Sequence, residues 1–424
     1  SNGAGSLMKW SISSVEPEFL YQFSTSTGES TNGRIMKHSN GNWYWLALNF
    51  DNYAQLVEYN PIAESLIIAQ DSIVSGFLLG QPFEHSSHQL VILSGNSSYS
   101  YGGEIHTYNP YTQNSSFIPL NFKYDGAVPI SPLCLASDGK YYGLCSIGAS
   151  PINNLGYGAG FRFNPENQTY TKIFDFEGTV VRSGSGAFVE GLPGKLYALV
   201  VGSQAGKPRI IQYDIVTGEM SVVVNFTNQD GDIPSNGLFK ASNGKLYGTT
   251  TNGGGGGSIG TLFEFDPATL QFTTRYRFNN QTIGAQPYGS LIQVAPDKLL
   301  GTTLSGGSSI SGTIYEFTLS TGAVVLKQTY TGTNGSKPYG GLVDGGDGIY
   351  YGTTSEGGTA NEGTIYSYDY ATNSIQTRAS FGAFNLNHPH CNLTKASDGW
   401  LYGITHGYGV NSDRGGLFRY NPIN

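Results

Sequence analysis

The residues best equipped for chemistry gather late in the chain, at His388-Pro389-His390-Cys391 and, beyond a turn, at His406. Imidazole exchanges protons near neutral pH and can hydrogen-bond as donor and acceptor at once. Three imidazoles and a thiol on one hairpin could move a proton or grip a polar ligand. A metal is not expected there. His390 and Cys391 are successive strand residues whose side chains point to opposite faces, so they share a coordination site only across a bulge. Arg34 supplies a guanidinium from the opposite end of the chain. With it, the cluster has the groups that β-elimination on a uronate-containing polysaccharide requires. Arg34 would neutralise a uronate carboxylate, and a histidine, His390 or His406, or a tyrosine would take the C5 proton and protonate the leaving oxygen. Tyr53, Tyr101, Tyr157, Tyr408 and Arg182 add rings and donors in segments that reach the same face. Aromatic rings against sugar faces, with polar groups around them, are a common way to hold a glycan.

Other candidates read as structural. His106 stands on a strand at a position that is aromatic in other parts of the chain, Phe263, Tyr315, Tyr366 and Phe418. It is expected in the core. His38, His85 and His88 flank turns of the opposite face and are expected to be solvated. The glycine run from Gly253 to Gly257 lies between strands rather than before a helix, so it is no phosphate loop. No nucleophile elbow is present. Cys134 and Cys145 flank one hairpin slightly out of register, and no disulfide between them is expected.

The elements that must position these residues are repeats. Aligned hairpin cores fall at Trp45, Ser94, Gly143, Ala198, Gly248, Gly301, Gly352 and Gly403, roughly 50 residues apart, which is the period of a four-stranded propeller blade. The clearest copy runs from Gly340 to Ser374. Each copy has a short strand A and a tight turn such as Asn243-Gly244 or Asp347-Gly348. Strand B follows, then a Gly-rich loop, an alternating strand C such as Thr261-Leu262-Phe263-Glu264-Phe265, and strand D. The D-to-A lead-in and the B-to-C loop emerge on one face around the central channel. There the consensus Lys337-Pro338-Tyr339-Gly340 becomes His388-Pro389-His390-Cys391, and Arg34 replaces the equivalent of Gly341. Pairing about Asp398-Gly399 sets Cys391 opposite His406. Copies five to seven keep the consensus, so a site is expected to straddle the others, centred on the junction of the last and first blades.

The last copy ends before its strand D, and Phe19-Leu20-Tyr21-Gln22-Phe23 matches that missing strand. An N-terminal strand that completes the last blade would close the ring and remove two open sheet edges. The expectation is therefore an all-β, single eight-bladed propeller over residues 9–424, with residues 1–8 a processed start or appended remnant. The formal charge of −8, with 12% charged residues and no basic cluster, argues against nucleic acid. No run of 18 apolar residues suggests a membrane span.

Pro, small residues, Asp-Gly, Leu-Tyr-Gly-Thr-Thr, Gly-Gly and Gly-Thr-Ile/Leu-Phe-Glu-Tyr, strongest from Gly237 to Gly416, resemble the Gloeo-Verruco tandem repeat of bacterial choice-of-anchor proteins. That resemblance implies an exported or surface-associated protein and no defined chemistry. Three readings follow. One is a secreted or surface monomer that binds a glycan or similar polar ligand at the channel mouth, without a cofactor, through His388, His390, His406, Arg34 and the loop residues named above. The second is a lyase using the same cluster, and the third a protein-interaction scaffold without catalysis.

Overall fold

The computed structural model describes residues 18–22, 36–48, 54–70, 82–85, 88–94, 104–119, 127–129, 132–147, 158–176, 181–184, 186–202, 207–256, 259–279, 282–382, 388–396, 399–405 and 416–422. They form eight antiparallel sheets arranged as a closed eight-bladed β-propeller, and no helix occurs among them. None therefore holds a helix long and apolar enough to cross a membrane. Blade five is representative. Its strands are Asp232–Pro234 with Phe239–Lys240, then Leu246–Asn252, Thr261–Asp266 and Gln271–Arg277. Both pieces of strand A pair with the same strand B. Ring closure follows the sequence expectation. Glu18–Gln22 pairs antiparallel with Gly416–Tyr420, Glu18 opposite Arg419 and Gln22 opposite Gly416, and so completes the last blade.

Successive side chains of strands B point to opposite faces, and near-continuous apolar runs such as residues 196–200 therefore bury side chains against the neighbouring blades on both sides. Tyr197, Leu199 and Ile210 of blade four thus share a cluster with Leu246, Phe263 and Phe265 of blade five. Within most blades a strand-B glycine lies beneath a strand-C ring. Gly248 pairs with Phe263, Gly301 with Tyr315, Gly352 with Tyr366 and Gly403 with Phe418. A Cβ at any of these glycines would overlap the ring above it. In blade one the arrangement is reversed, with Trp45 opposite Val57, both buried. The first and last blades meet through Trp43, Trp45, Tyr402, Ile404 and Leu417, with Trp43 stacked on Tyr402 at 4.3 Å.

Two expectations about register need correction. In the second copy the residue opposite His106 is Ile92, so Ile92 rather than Ser94 holds the position of Gly248. The A-to-B turns are also of two kinds. At Asp347-Gly348 both residues have positive φ, 53° and 77°, and Gly346 pairs with Ile349 in a two-residue hairpin. At Asn243-Gly244, however, Ala241 and Lys245 close the hairpin. Ser242, Asn243 and Gly244 lie between them, with Gly244 at φ 80°. The closing bonds at Asn40-Gly41, Asp138-Gly139 and Asp398-Gly399 match this longer form.

Candidate functional site

The channel mouth on the D-to-A face is built from one repeated tripeptide. In blades five to eight it reads Ile233-Pro234-Ser235, Gln286-Pro287-Tyr288, Lys337-Pro338-Tyr339 and His388-Pro389-His390. The first residue of each holds positive φ, at 51°, 56°, 54° and 48°. That conformation is disfavoured for side-chain-bearing residues, so the surroundings must impose it. The preceding blade does so. The N–H groups of Gln286, Lys337 and His388 donate to the carbonyls of Ile259, Ser311 and Glu362, at 2.9, 3.1 and 2.9 Å. Each following proline lies against a glycine, Gly260, Gly312 or Gly363, where a Cβ would crowd it.

With the backbone sewn in place, the residue after the proline is presented at the rim. Behind it, the innermost segments of adjacent blades touch, and a Cβ on Gly289 or Gly340 would collide with the backbone of the next blade. This close approach sets the rim side chains against one another. Tyr288 meets Tyr339 edge to face at 5.2 Å and 81°, and Tyr339 stacks on His390 at 4.3 Å and 25°. Tyr288 is 37% exposed, His390 is exposed, and Tyr339 between them is half-buried. The middle ring is therefore clamped and the two ends reach solvent.

Charged groups with partners already in place lie on the same face. The Lys337 ammonium donates to Glu356 at 2.6 Å, and that contact raises its pKa above the ordinary lysine value although burial opposes it. His388, in the same place one blade on, has Nε2 3.0 Å from a Glu362 carboxylate oxygen and Nδ1 2.7 Å from the Ser355 carbonyl oxygen. Lys207 donates to Asp232 at 3.0 Å. The Arg277 guanidinium donates to the Gly254 and Gln229 carbonyls at 2.8 and 3.2 Å.

The structure thus treats the expected site residues unequally. His390 is at the rim, but its ring partner is Tyr339, from the consensus half set aside by sequence. Tyr288 and Tyr339 were missed for the same reason, and their shared place after the proline was the available signal. Both ring nitrogens of His388 face oxygen acceptors of blade seven, so it ties two blades together rather than standing ready as a base. Cys391 is not opposite His406. Thr394 pairs with Tyr402 and Lys395 with Leu401, which carries Cys391 to Thr405, and the Ile404 N–H donates to its Sγ at 3.1 Å. Arg34, His406, Tyr53, Tyr101, Tyr157 and Tyr408 lie outside the described residues. Arg182 is on the described strand Val181–Gly184, but its side chain is outside the description.

The remaining histidines are placed as follows. His38 is 1% exposed, which corrects the expectation of a solvated turn. Its Nδ1 accepts the Asn40 N–H at 3.0 Å, and its Nε2 lies 3.0 Å from the His88 carbonyl oxygen. His88 is exposed, and its Nδ1 is 2.8 Å from Ser39 Oγ and 3.1 Å from Glu84. Serine and carboxylate meet the same nitrogen, so the group cannot relay a proton through the ring as a catalytic triad does. Ser137 clasps Glu190 in the same manner between blades three and four, which marks the Ser39–Glu84 contact as an inter-blade fastening. His85 is half-buried, edge-on to Tyr141, and burial lowers its pKa. His106 is in the core at 3% exposure, 2.8 Å from a Glu104 oxygen. Burial pushes its pKa down to about 4.

No disulfide joins the three cysteines, and burial pushes the Cys134 thiol up to about 11. Among the described residues, no group of three or more His, Cys, Asp or Glu could hold a metal.

Several solved structures share this architecture. A prolyl endopeptidase matches with TM-score 0.53 and 12% identity, over 93% of this chain and 56% of its own. A puromycin hydrolase matches at 0.51 and 12%, over 89% and 58%. The chain therefore spans little more than half the length of either. An oligogalacturonate lyase in complex with manganese matches at 0.50 and 11%, over 93% and 99%. At such identities the likeness is one of fold. No curated protein matches the sequence significantly. Residues 189–418, more than half of the chain, match the model of the Gloeobacter/Verrucomicrobia repeat, and the chain belongs to that family.

Proposed function

We propose that this propeller is an exported or cell-surface protein that binds a glycan at the channel mouth. The observation that carries the reading is the rim row Tyr288–Tyr339–His390, a clamped ring with an exposed ring at either end. Sugars present C–H faces to such rings and hydroxyls to the polar groups beside them. The rim also stands on a backbone held by the neighbouring blade, so little ordering is left for the ligand to impose. The lyase alternative assigns its chemistry to His390, His406 and Arg34, of which His390 lies among the described residues, stacked on Tyr339.

The test is affinity electrophoresis through gels cast with a broad panel of polysaccharides. The wild type is expected to be retarded by at least one of them. Tyr288→Ala combined with His390→Ala should weaken that retention about tenfold, roughly 1.4 kcal/mol. Because both rings reach solvent, the melting temperature should stay within about 2 °C. Retention unchanged in the double variant would remove the rim from the site. Absence of retention across the panel would leave the scaffold reading in its place.

A further inference from the structure

We infer that the glycan taken by this rim is uncharged, and that paired carboxylates around the rim are what exclude uronate polymers. The inference rests on the glycan reading and narrows it. A polyanion needs cations whose charge is available. Of the described cations on this face, Lys337 and Lys207 are already matched to carboxylates, Glu356 and Asp232, and the Arg277 guanidinium is engaged by the Gly254 and Gln229 carbonyls, while the Glu362 carboxylate is 3.0 Å from the His388 ring. A uronate approaching Lys337 would meet the Glu356 carboxylate within hydrogen-bond distance of the same ammonium. It would have to displace that carboxylate or accept its repulsion. The net charge of −8 adds a long-range field of the wrong sign for a polyanion.

The same pairs suit a neutral sugar. Glu356 and Glu362 are 36% and 34% exposed at the side chain, and Lys337 is 46% exposed. Each therefore keeps hydrogen-bonding capacity turned to solvent, carboxylate oxygens for hydroxyl donors and an ammonium for hydroxyl acceptors. Tyr288 and His390 supply exposed ring surface on either side of Tyr339, which lies two residues along the chain from Lys337. Ring faces combined with compensated charge recognise a polyhydroxylated, electrically neutral partner. Because no counterions are released, such binding is nearly independent of salt.

The experiment compares retention of the full chain by neutral polysaccharides (glucan, mannan, xylan, galactan) with retention by polygalacturonate and alginate, at about 50 and about 500 mM NaCl. A neutral polymer is expected to retain the wild type, with affinity changing less than about twofold between the two salts. The acidic polymers are expected to leave it unretarded. Glu356→Gln combined with Glu362→Gln removes two carboxylates and leaves the Lys337 ammonium without its carboxylate, and this variant should gain retention on polygalacturonate. Retention of the wild type by acidic polymers alone, falling about tenfold or more with salt, would overturn the inference while leaving glycan binding intact. So would a double variant that still ignores polygalacturonate, because the carboxylates would then not be the excluding element. Retention by neither class would overturn both readings.

Discussion

Blades five to eight and blades one and two solve the same packing problem in opposite ways. In the consensus blades a glycine on strand B is roofed by an aromatic ring from strand C, as at Gly248 and Phe263. In blade one the large residue moves to strand B, Trp45, and the smaller to strand C, Val57. In blade two Ile92 faces His106. What the consensus blades and blade one share is a single bulky ring in the cross-strand pair, on strand C in the former and on strand B in the latter, so that the densely packed seam between blades is filled from one strand or the other. The difference teaches that a repeat can lose its most recognisable glycine without losing the blade, provided the partner strand compensates.

The comparison can be broken most forcefully at Trp45. Trp45→Gly is expected to cost about 4–5 kcal/mol, read as a lower urea midpoint, because it opens a cavity at the seam between first and last blades. Adding Val57→Phe rebuilds the consensus pair and should recover about half of that loss. A double variant no more stable than Trp45→Gly alone would sink the idea that a ring from either strand can fill the seam.

His106 offers a second, smaller effect. Its folded pKa of about 4 lies below the ordinary 6.5. Between those values the unfolded chain binds a proton that the folded chain refuses, so its contribution to stability is lost as pH falls from 6.5 towards 4. His106→Phe, the consensus choice, should remove this dependence. The variant's advantage over wild type should grow on acidification, approaching about 3 kcal/mol near pH 4. An advantage that stays constant with pH would mean the buried ring already carries its charge.

The smallest effect concerns a hydroxyl clasp found in blades five to seven. Thr250 meets Thr261, Thr303 meets Thr313 and Thr354 meets Thr364, at 2.9, 2.9 and 2.8 Å. In blade two the corresponding register pair is Ser94 and Glu104. Thr261→Val, Thr313→Val and Thr364→Val should each cost about 1 kcal/mol in urea unfolding, with similar values. Widely unequal losses would show that the clasp is not one repeated unit.

Much of this was legible in the chain, and the failures have physical causes. Ring closure could be read from Phe19-Leu20-Tyr21-Gln22-Phe23, because a strand missing at one end and present at the other leaves complementary edges. Ser94 was misread as an anchor because Leu90-Val91-Ile92-Leu93 is apolar throughout, and such a run does not mark its own register. The false pairing of Cys391 with His406 came from counting Asp398-Gly399 as a two-residue turn. The hairpin closes between Ala396 and Trp400, with Gly399 at φ 85°, and the longer loop moves the partner by one residue. His38 passed for a solvated turn residue because its cover comes partly from the next blade, through His88 and Tyr111.

By itself the sequence determined the number of blades, the strand order within each and the closure. Periodicity, alternation and turn chemistry are local, and repetition averages out their errors. It also marked His390 as a departure from the repeat. Only the tertiary structure decided what His390 does. Residues that align between successive copies look like alternatives when written in a column. In a closed ring they become neighbours, and glycine contacts between the innermost segments of adjacent blades bring Tyr288, Tyr339 and His390 into one row. The same ring geometry turned His388 towards Glu362 and Ser355 of blade seven, which made it a fastening instead of a base.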